Sequence, residues 1–476
     1  MTHANIPIFL QSANRFGISL GLVRMQALLK ALHSPEKDLQ VIHIAGTNGK
    51  GSVSAYCASI LAGKGQKVGL FTSPFLERFN ERIRVINGRD GLSDWETTDS
   101  AGEIDNDSLQ SLSDEVEAAV RIILKDGIEH PTEFELVTAV AFLWFQRQKC
   151  DVCVLETGLG GRLDSTNVIV SPLCTIITAL GYDHMDRLGD TMDKIAAEKG
   201  GIIKPHCPIF MMDNEGGDLS CEEAQLARET IMNIASERQA PLTIISKGDI
   251  HTVETTLDGQ TFSYCGNAFV TRLIGRYQEE NAALAVESMR LFATDEEIRY
   301  GLAHTKWKGR MEKLSDKPIV MIDGAHNPQG ILSLLDTVNE IWTDKTTPTE
   351  WVIGVMKDKD VSRMIHLLME KWPLPVNHIT LVRPTQQRAM APEELKRAFE
   401  KEYAASSAFY NREMPMYNAI DKIRIVEDAR IGARTTMKEA KSNGSHVFVF
   451  GSLYLLGEVR ATLIEALKAK EKDEVI

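Results

Sequence analysis

The chain has 476 residues, 43% of them hydrophobic and 25% charged, with a formal net charge of −13. That length exceeds what one core fills and allows two or three domains. The negative balance excludes a sequence-independent nucleic-acid binder, which needs a cationic face, and no apolar run approaches the ~20 residues of a membrane span.

Met1-Thr2-His3-Ala4-Asn5 has no basic stretch followed by an apolar one, so no secretory leader is expected. Seven cysteines, an odd number scattered over a large chain, fit a reducing compartment, and a cytoplasmic protein is the expectation. Cys150 and Cys153 form a C-x-x-C, but on a strand expected at Cys150 to Leu155, positions three apart face opposite ways. They read as buried structural thiols rather than as a redox or metal pair.

In chain order, Ser12 to Arg24 is a Gly-broken lead-in and Met25 to Leu32 an amphipathic helix. Val41-Ile42-His43-Ile44-Ala45 is short, apolar and β-branched, as a buried parallel strand is. It runs into Gly46-Thr47-Asn48-Gly49-Lys50-Gly51-Ser52, after which Val53 to Leu61 reads as a helix. A strand, a glycine-rich turn and a helix start make an anion cradle, with free N–H groups and the positive end of the helix dipole facing one point. Lys50 adds a full positive charge and Ser52 a hydroxyl able to ligate Mg²⁺, the parts of a phosphate-binding loop. Gly51, between Lys50 and Ser52, departs from the usual spacing. The competing reading is a strand-to-helix turn without a ligand.

Val68 to Thr72 is a second buried strand, closed by Ser73-Pro74 and a loop through Phe79-Asn80-Glu81-Arg82-Ile83. Arg89 to Ser113 is polar and acidic and is expected to be a surface insertion. Thr132-Glu133-Phe134-Glu135 opens a long helix with a capping-box pattern, which gives Thr132 and Glu135 a structural role. Strands at Val152 to Leu155 and Thr175 to Thr178 deliver Glu156 and, after Gly181-Tyr182-Asp183, His184. Thr191 to Glu198 is helical, and Lys199 at its end reads as a charge favourable to the dipole. Ile209 to Met211 and Thr243 to Ile245 are strands, Thr252 to Val270 a hairpin or small antiparallel layer, and Asn281 to Phe292 a helix.

Near Lys306-Trp307-Lys308-Gly309-Arg310 the pattern begins again. Pro318 to Ile322 is a buried strand ending in Asp323-Gly324-Ala325-His326-Asn327-Pro328, and Trp351 to Val355, Ile379 to Val382 and Val447 to Phe450 are three more. Strands alternating with helices in both parts predict two parallel α/β domains joined around residues 300–310. Ala404 to Lys422 is irregular and reads as another insertion.

Ligands of open parallel sheets bind beyond the carboxyl ends of the strands. The phosphate loop, Ser73, Glu156 and His184 each follow a buried run directly. If those strands are neighbours, the four share one cavity, a Mg²⁺–nucleotide site with hard oxygen ligands. Taken singly, Glu156 is an ordinary strand-end charge and His184 a satisfied loop histidine; their common placement shifts the balance. In the second domain, Asp323 can accept from a ribose hydroxyl and His326 can approach the reacting oxygens. Arg310 can bring a guanidinium onto the phosphates. Asn281 reads equally well as a contact to the adenine edge or as a helix cap.

These residues resemble a known family. Gly46 to Ser52, Thr72-Ser73-Pro74 with Phe79 to Ile83, Glu156 with Gly158-Leu159-Gly160-Gly161-Arg162-Leu163-Asp164, Asp183 to Gly189, Asp323 to Pro328 and Gly451-Ser452-Leu453-Tyr454 are similar to the blocks of folylpolyglutamate synthases. These and their dihydrofolate synthase relatives belong to the Mur ligase superfamily. The blocks run in family order from about Arg15 to Arg460; Tyr277 departs, standing where a His is common.

The resemblance implies an N-terminal P-loop-type ATPase domain with a mostly parallel sheet over residues 1–303, a hinge at 304–311 and a smaller Rossmann-like α/β domain over 312–476. It implies an ATP-dependent amide ligase that joins L-glutamate to the γ-carboxylate of a reduced folate through an acyl phosphate, with two Mg²⁺; the oligomeric state stays open, a monomer being the default. Thr47, Asn48, Gly49, Lys50, Gly51, Ser52, Asn281, Arg310 and Asp323 would contact ATP. Ser73, Glu156 and His184 would ligate metal, and Lys199, carbamylated in the family, would serve a second ion. Lys50, Lys199 and His326 would take part in catalysis. Thr132, Glu133, Phe134, Glu135, Leu163, Asp164 and Ser165 resemble the pteroate-contacting parts. Dihydropteroate as a further substrate stays open. Two alternatives stand beside this: a Mur-type ligase for a cell-wall peptide, and a nucleotide-responsive binding protein without catalysis.

Overall fold

The computed structural model describes residues 6–17, 20–214, 219–406 and 417–468. Seven strands form the first sheet: β1 (Val41–Ala45), β2 (Lys67–Phe71), β3 (Ile83–Asn87), β4 (Val152–Glu156), β5 (Cys174–Ile177), β6 (Ile209–Met212) and β7 (Leu242–Ile245). Their order is β3-β2-β4-β1-β5-β6-β7, all parallel except β3, which is antiparallel to β2. Beside it, β8 (Ile250–Thr256), β9 (Gly259–Tyr264) and β10 (Asn267–Thr271) make the small antiparallel layer that the Asp258-Gly259 turn predicts.

The second sheet contains β11 (Glu312–Asp316), β12 (Ile319–Ile322), β13 (Thr349–Ile353), β14 (Val376–Arg383), β15 (Ile423–Asp428) and β16 (His446–Phe450). The order is β11-β12-β16-β13-β14-β15, with only β11 antiparallel. Residues 304–311 connect the helix Asp295–Ala303 to β11.

Near-continuous apolar strands are what a sheet covered on both faces needs. Ile42, Ile44, Val152 and Val154 pack on one side with the helix Lys50–Gly63, while Val41, Cys153 and Leu155 pack on the other with the helix Glu133–Arg147. The second sheet divides in the same way, Trp351, Ile353 and Phe448 to one face and Val352, Val447 and Val449 to the other.

Two expectations are corrected. Residues 89–113 are not a surface loop: the helices Gly88–Thr97 and Asn106–Lys125 occupy most of that stretch, and Leu92, Trp95, Leu109 and Leu112 are buried. The Asp105 carboxylate accepts the Ser108 N–H at 2.8 Å and starts the second helix. The Leu109, Leu112, Val116 and Val120 spacing then seals its inner face. Cys150 lies before β4 begins at Val152, so the opposite-face argument does not apply to it; all seven cysteines are free. Of the expected irregular stretch 404–422, residues 407–416 lie outside the described residues, and a 3₁₀ turn, Tyr417–Lys422, closes it.

Candidate functional site

Strands β2, β4, β1 and β5 are consecutive neighbours, so Ser73, Glu156, the glycine-rich loop and His184 leave the same rim side by side. The loop is stitched to the chain beyond β5. Thr47 and Asn48 N–H groups donate to Ala179 O at 2.9 and 3.2 Å, and the Thr178 hydroxyl donates to Asn48 O at 2.7 Å. Gly49 has φ +89, and a Cβ there would overlap the Asn281 amide, so only glycine fits where the helix Lys50–Gly63 starts. Asn281, whose Nδ2 donates to Gln278 Oε1 at 3.1 Å, thus sits directly against the loop.

Lys50 folds back into the loop, donating to Gly46 O at 3.1 Å and Thr47 O at 3.0 Å. Burial pushes its pKa down, with Glu156 and Asp183 opposing the change. Ser52 Oγ is buried and has no hydrogen-bond partner among the described residues.

Glu156 is buried at the end of β4, its carboxylate accepting the Ser73 N–H at 3.2 Å. Burial raises its pKa to about 7 against the pull of Lys50. His184, at φ +52, has its ring pKa lowered to about 4, chiefly by burial, so the imidazole is neutral near pH 7. A neutral imidazole is the form that ligates metal. The Glu156 carboxylate, that imidazole, the Ser73 hydroxyl and the unpartnered Ser52 hydroxyl are donors of the types that could hold a hard divalent cation, offered from neighbouring strand ends.

Lys199 is not the solvated helix-end charge that its sequence position alone suggests. It is buried, its Nζ donates to Gly46 O at 2.8 Å, and burial with neighbouring Lys50 lowers its pKa to about 7.

The second lobe faces this rim. Asp323 accepts the Ala325 N–H at 2.8 Å, the Met311 N–H at 2.7 Å and the Tyr277 hydroxyl at 3.4 Å. Gly324 N–H donates to Gly309 O at 2.8 Å, so the turn after β12 fixes the connector on both sides of Arg310. Arg310 lines a cleft together with Gly51, Ser73, Glu156 and Trp307. His326 directs Nδ1 to Gly324 O at 2.8 Å and turns Nε2 toward Asp183 Oδ2, 3.7 Å away. Asn48 Nδ2 donates to Gln329 Oε1 at 2.6 Å, which joins the phosphate loop itself to the opposite lobe.

The pteroate-like stretches behave less uniformly. Thr132 and Glu135 complete their capping box, and Glu135 Oε2 also meets Arg24 Nε at 3.1 Å. Glu133 faces Arg82 at 3.7 Å. Phe134 reaches the β4 end, its ring 2.5 Å from where a Cβ on Gly158 would stand. Asp164 is buried in its own turn, accepting the Gly158 and Leu159 N–H groups and both Thr166 donors, with Ser165 buried next to it and Leu163 half-buried.

Sequence reading missed Asp183, Gln329 and Lys359 as site residues. Asp183 had a signal, an acid at a strand end beside His184. Lys359 had none, since Lys357-Asp358-Lys359-Asp360 looks like a solvated charge run, yet its side chain is 7% exposed and 2.6 Å from Asp183.

Family models place a Mur ligase middle domain at residues 44–289 and a Mur ligase glutamate ligase domain at residues 309–453. The chain is 38% identical over 368 residues to the dihydrofolate synthase/folylpolyglutamate synthase of Bacillus subtilis, covering 74% of this chain and 80% of that protein. The chain belongs to the folylpolyglutamate synthase/dihydrofolate synthase family of the Mur ligase superfamily. The folylpolyglutamate synthase of Mycobacterium tuberculosis, solved with ADP and AMPPCP, superposes on this family member with a TM-score of 0.78 at 25% identity, covering 96% of this chain and 98% of that one. E. coli FolC in complex with DHPP and ADP gives 0.76 at 25% identity, over 97% and 98%. This breadth of match includes both lobes and the cleft between them.

Proposed function

We propose that this protein is an ATP-dependent ligase that adds L-glutamate to a folate, activating the γ-carboxylate of the folate's terminal glutamate as an acyl phosphate. The observation that carries the reading is the meeting, on one sheet rim, of the phosphate loop, Glu156 and His184, with Asp323, Arg310 and His326 facing them from the second lobe. The M. tuberculosis relative with ADP and AMPPCP supports ATP as the substrate, and E. coli FolC with DHPP and ADP supports a folate-type acceptor.

A carboxylate is a poor electrophile, and phosphorylation gives it a leaving group. The loop N–H groups and Lys50 hold the terminal phosphates and offset the charge that develops on them. Ser73, Glu156 and His184 would hold one Mg²⁺, and Lys199, as a carbamate, would serve a second. Bound there, the metal supplies charge neutralisation on the transferred phosphoryl group. Carbamylation needs a neutral amine: the nitrogen forms a bond to CO₂ and one proton leaves. A buried lysine whose pKa is lowered to about 7 meets that condition. Arg310 and Asp323 bring the second lobe to ATP, with Asn281 beside the loop. His326, whose Nε2 lies 3.7 Å from Asp183 Oδ2, would approach the reacting oxygens from the second lobe. Phe134, against Gly158, is the aromatic surface offered to the pteridine. The glutamate amine then attacks the acyl carbon, phosphate departs, and the amine loses its proton.

In the same proposal, residues 1–303 form the nucleotide lobe, 304–311 the hinge and 312–476 the second lobe of a cytoplasmic monomer. Purified protein with ATP, Mg²⁺, tetrahydrofolate and L-glutamate should release ADP and yield a folate longer by one glutamate. No ADP release with any reduced folate or with dihydropteroate would overturn the proposal. Comparing ADP release on dihydropteroate and tetrahydrofolate decides whether the enzyme also makes dihydrofolate.

A further inference from the structure

Asp183 stands where the lobes touch. It belongs to the first lobe, six residues beyond the end of β5, yet its carboxylate is held from three directions. Oδ1 accepts the backbone N–H of His184 at 2.9 Å and the ammonium of Lys359 at 2.6 Å; Oδ2 faces His326 Nε2 at 3.7 Å. Lys359 and His326 come from different loops of the second lobe, after β13 and β12. The Asp183 and Lys359 side chains are 12% and 7% exposed, so the pair is largely out of water. His184 follows in the left-handed region at φ +52, an uncommon conformation for a residue other than glycine.

We propose that Asp183 is a positioning residue that makes lobe closure and the orientation of His184 a single event. The oxygen that anchors the His184 peptide is the oxygen that receives Lys359, so docking the second lobe fixes the carboxylate and, through it, the imidazole. With the lobes apart, Asp183 keeps the His184 N–H but loses Lys359 and His326, so the carboxylate faces water and is free to turn away from the His184 peptide. The reaction centre is then complete only when both lobes are in place, which holds back loss of the phosphoryl group to water while the cleft is open. This inference rests on the reading of His184 as a metal ligand given above.

The test uses the full-length enzyme with Asp183→Asn, Lys359→Met, the double variant and Lys359→Arg, with Lys357→Met as a control on the exposed lysine two residues away. Three readouts are taken: kcat and KM, Mn²⁺ affinity in the presence of ADP, and the closed fraction from small-angle scattering with ADP. Removing one partner of a buried charge pair predicts a kcat loss on the order of 30-fold or more. It also predicts a looser closed state and Mn²⁺ binding weaker by roughly tenfold. The two single losses should not multiply in the double variant, because one interaction is removed twice. Lys359→Arg should recover most of the activity, and Lys357→Met should match the parent.

Losses that multiply, or Asp183→Asn with the parent's closed fraction and Mn²⁺ affinity, would overturn the proposal. If Asp183→Asn fails to fold, Lys359→Met on the other lobe carries the same readouts. His184→Ala with unchanged Mn²⁺ affinity would sink the metal-ligand reading, whereas the closed fraction of Asp183→Asn still decides whether Asp183 joins the lobes.

Discussion

Lys199 Nζ lies 2.8 Å from the carbonyl oxygen of Gly46, so the buried end of one helix touches the first residue of the phosphate loop. A lysine in that position is either a cation held under the loop or, once carbamylated, a carboxylate aimed at it. The two roles respond differently to rescue.

Lys199→Ala should lose roughly 100-fold or more in ADP release, the range seen when a group that orders the reacting phosphates is removed. Short carboxylic acids such as acetate should restore part of it if the functional group is a carbamate. Steady-state rates across an acetate titration decide the matter; parent-level activity in the variant would exclude any role. The unmodified lysine also has a stability signature. Its folded pKa is about 7 against the usual 10.5, so the unfolded chain binds more protons between those values, and stability rises with pH across that window.

Among the described residues, Lys50 Nζ donates to loop carbonyls alone, at 3.1 and 3.0 Å. Those bonds hold it ready without using its charge on another side chain. Lys50→Ala should therefore lower kcat by about 100- to 1,000-fold while the fold stays near parent stability. Rates and thermal unfolding measured side by side check this; a Tm collapse with a normal residual rate per folded molecule would show that Lys50 only braces the loop.

Glu156 gives the opposite sign. Its folded pKa is raised from the usual 4.5 to about 7, mainly by burial, so it binds a proton more readily in the folded state. The stability this brings is fully present below pH 4.5 and is lost as pH rises through about 7. Glu156→Gln in the metal-free enzyme should thus unfold like the parent near pH 4.5. At pH 8 it should be more stable by up to about 3 kcal/mol, while being catalytically crippled. Denaturant melts at the two pH values provide the measurement, and an equal difference at both would remove the burial argument.

Much of this site was legible in the sequence because strand ends write it out linearly. Ala45, Phe71, Leu155 and Ile177 each close an apolar run, and the loop, Ser73, Glu156 and His184 follow within a few residues. What sequence could not give is pairing across the cleft. Nothing local distinguishes Lys359 from Lys357, or says that Gln329 will reach Asn48. Local composition misled at residues 89–113, where Gly, Ser and Asp hid an inner face of Leu92, Trp95, Leu109 and Leu112. It misled again at Lys199, whose helix-end position gave no sign of burial.

Asp164 separates a structural role from a folate contact. Its two oxygens accept the Gly158 and Leu159 N–H groups at 2.9 Å each, and the Thr166 N–H and hydroxyl at 3.0 and 2.6 Å. Thr166 in turn lies 2.7 Å from buried His43 Nε2 on β1, so the carboxylate ties the turn after Glu156 to the central strand. Asp164→Ala leaves several buried donors unpaired at about 1–3 kcal/mol each, for a destabilisation on the order of 3 kcal/mol or more. If the carboxylate is spent on its own turn, the folded fraction should then bind folate with a KM within about threefold of the parent. Denaturant melts and folate KM at low temperature check both parts. A normal unfolding curve with a large rise in KM would instead assign Asp164 to the substrate, and the hydrogen bonds within its turn would be incidental to that role.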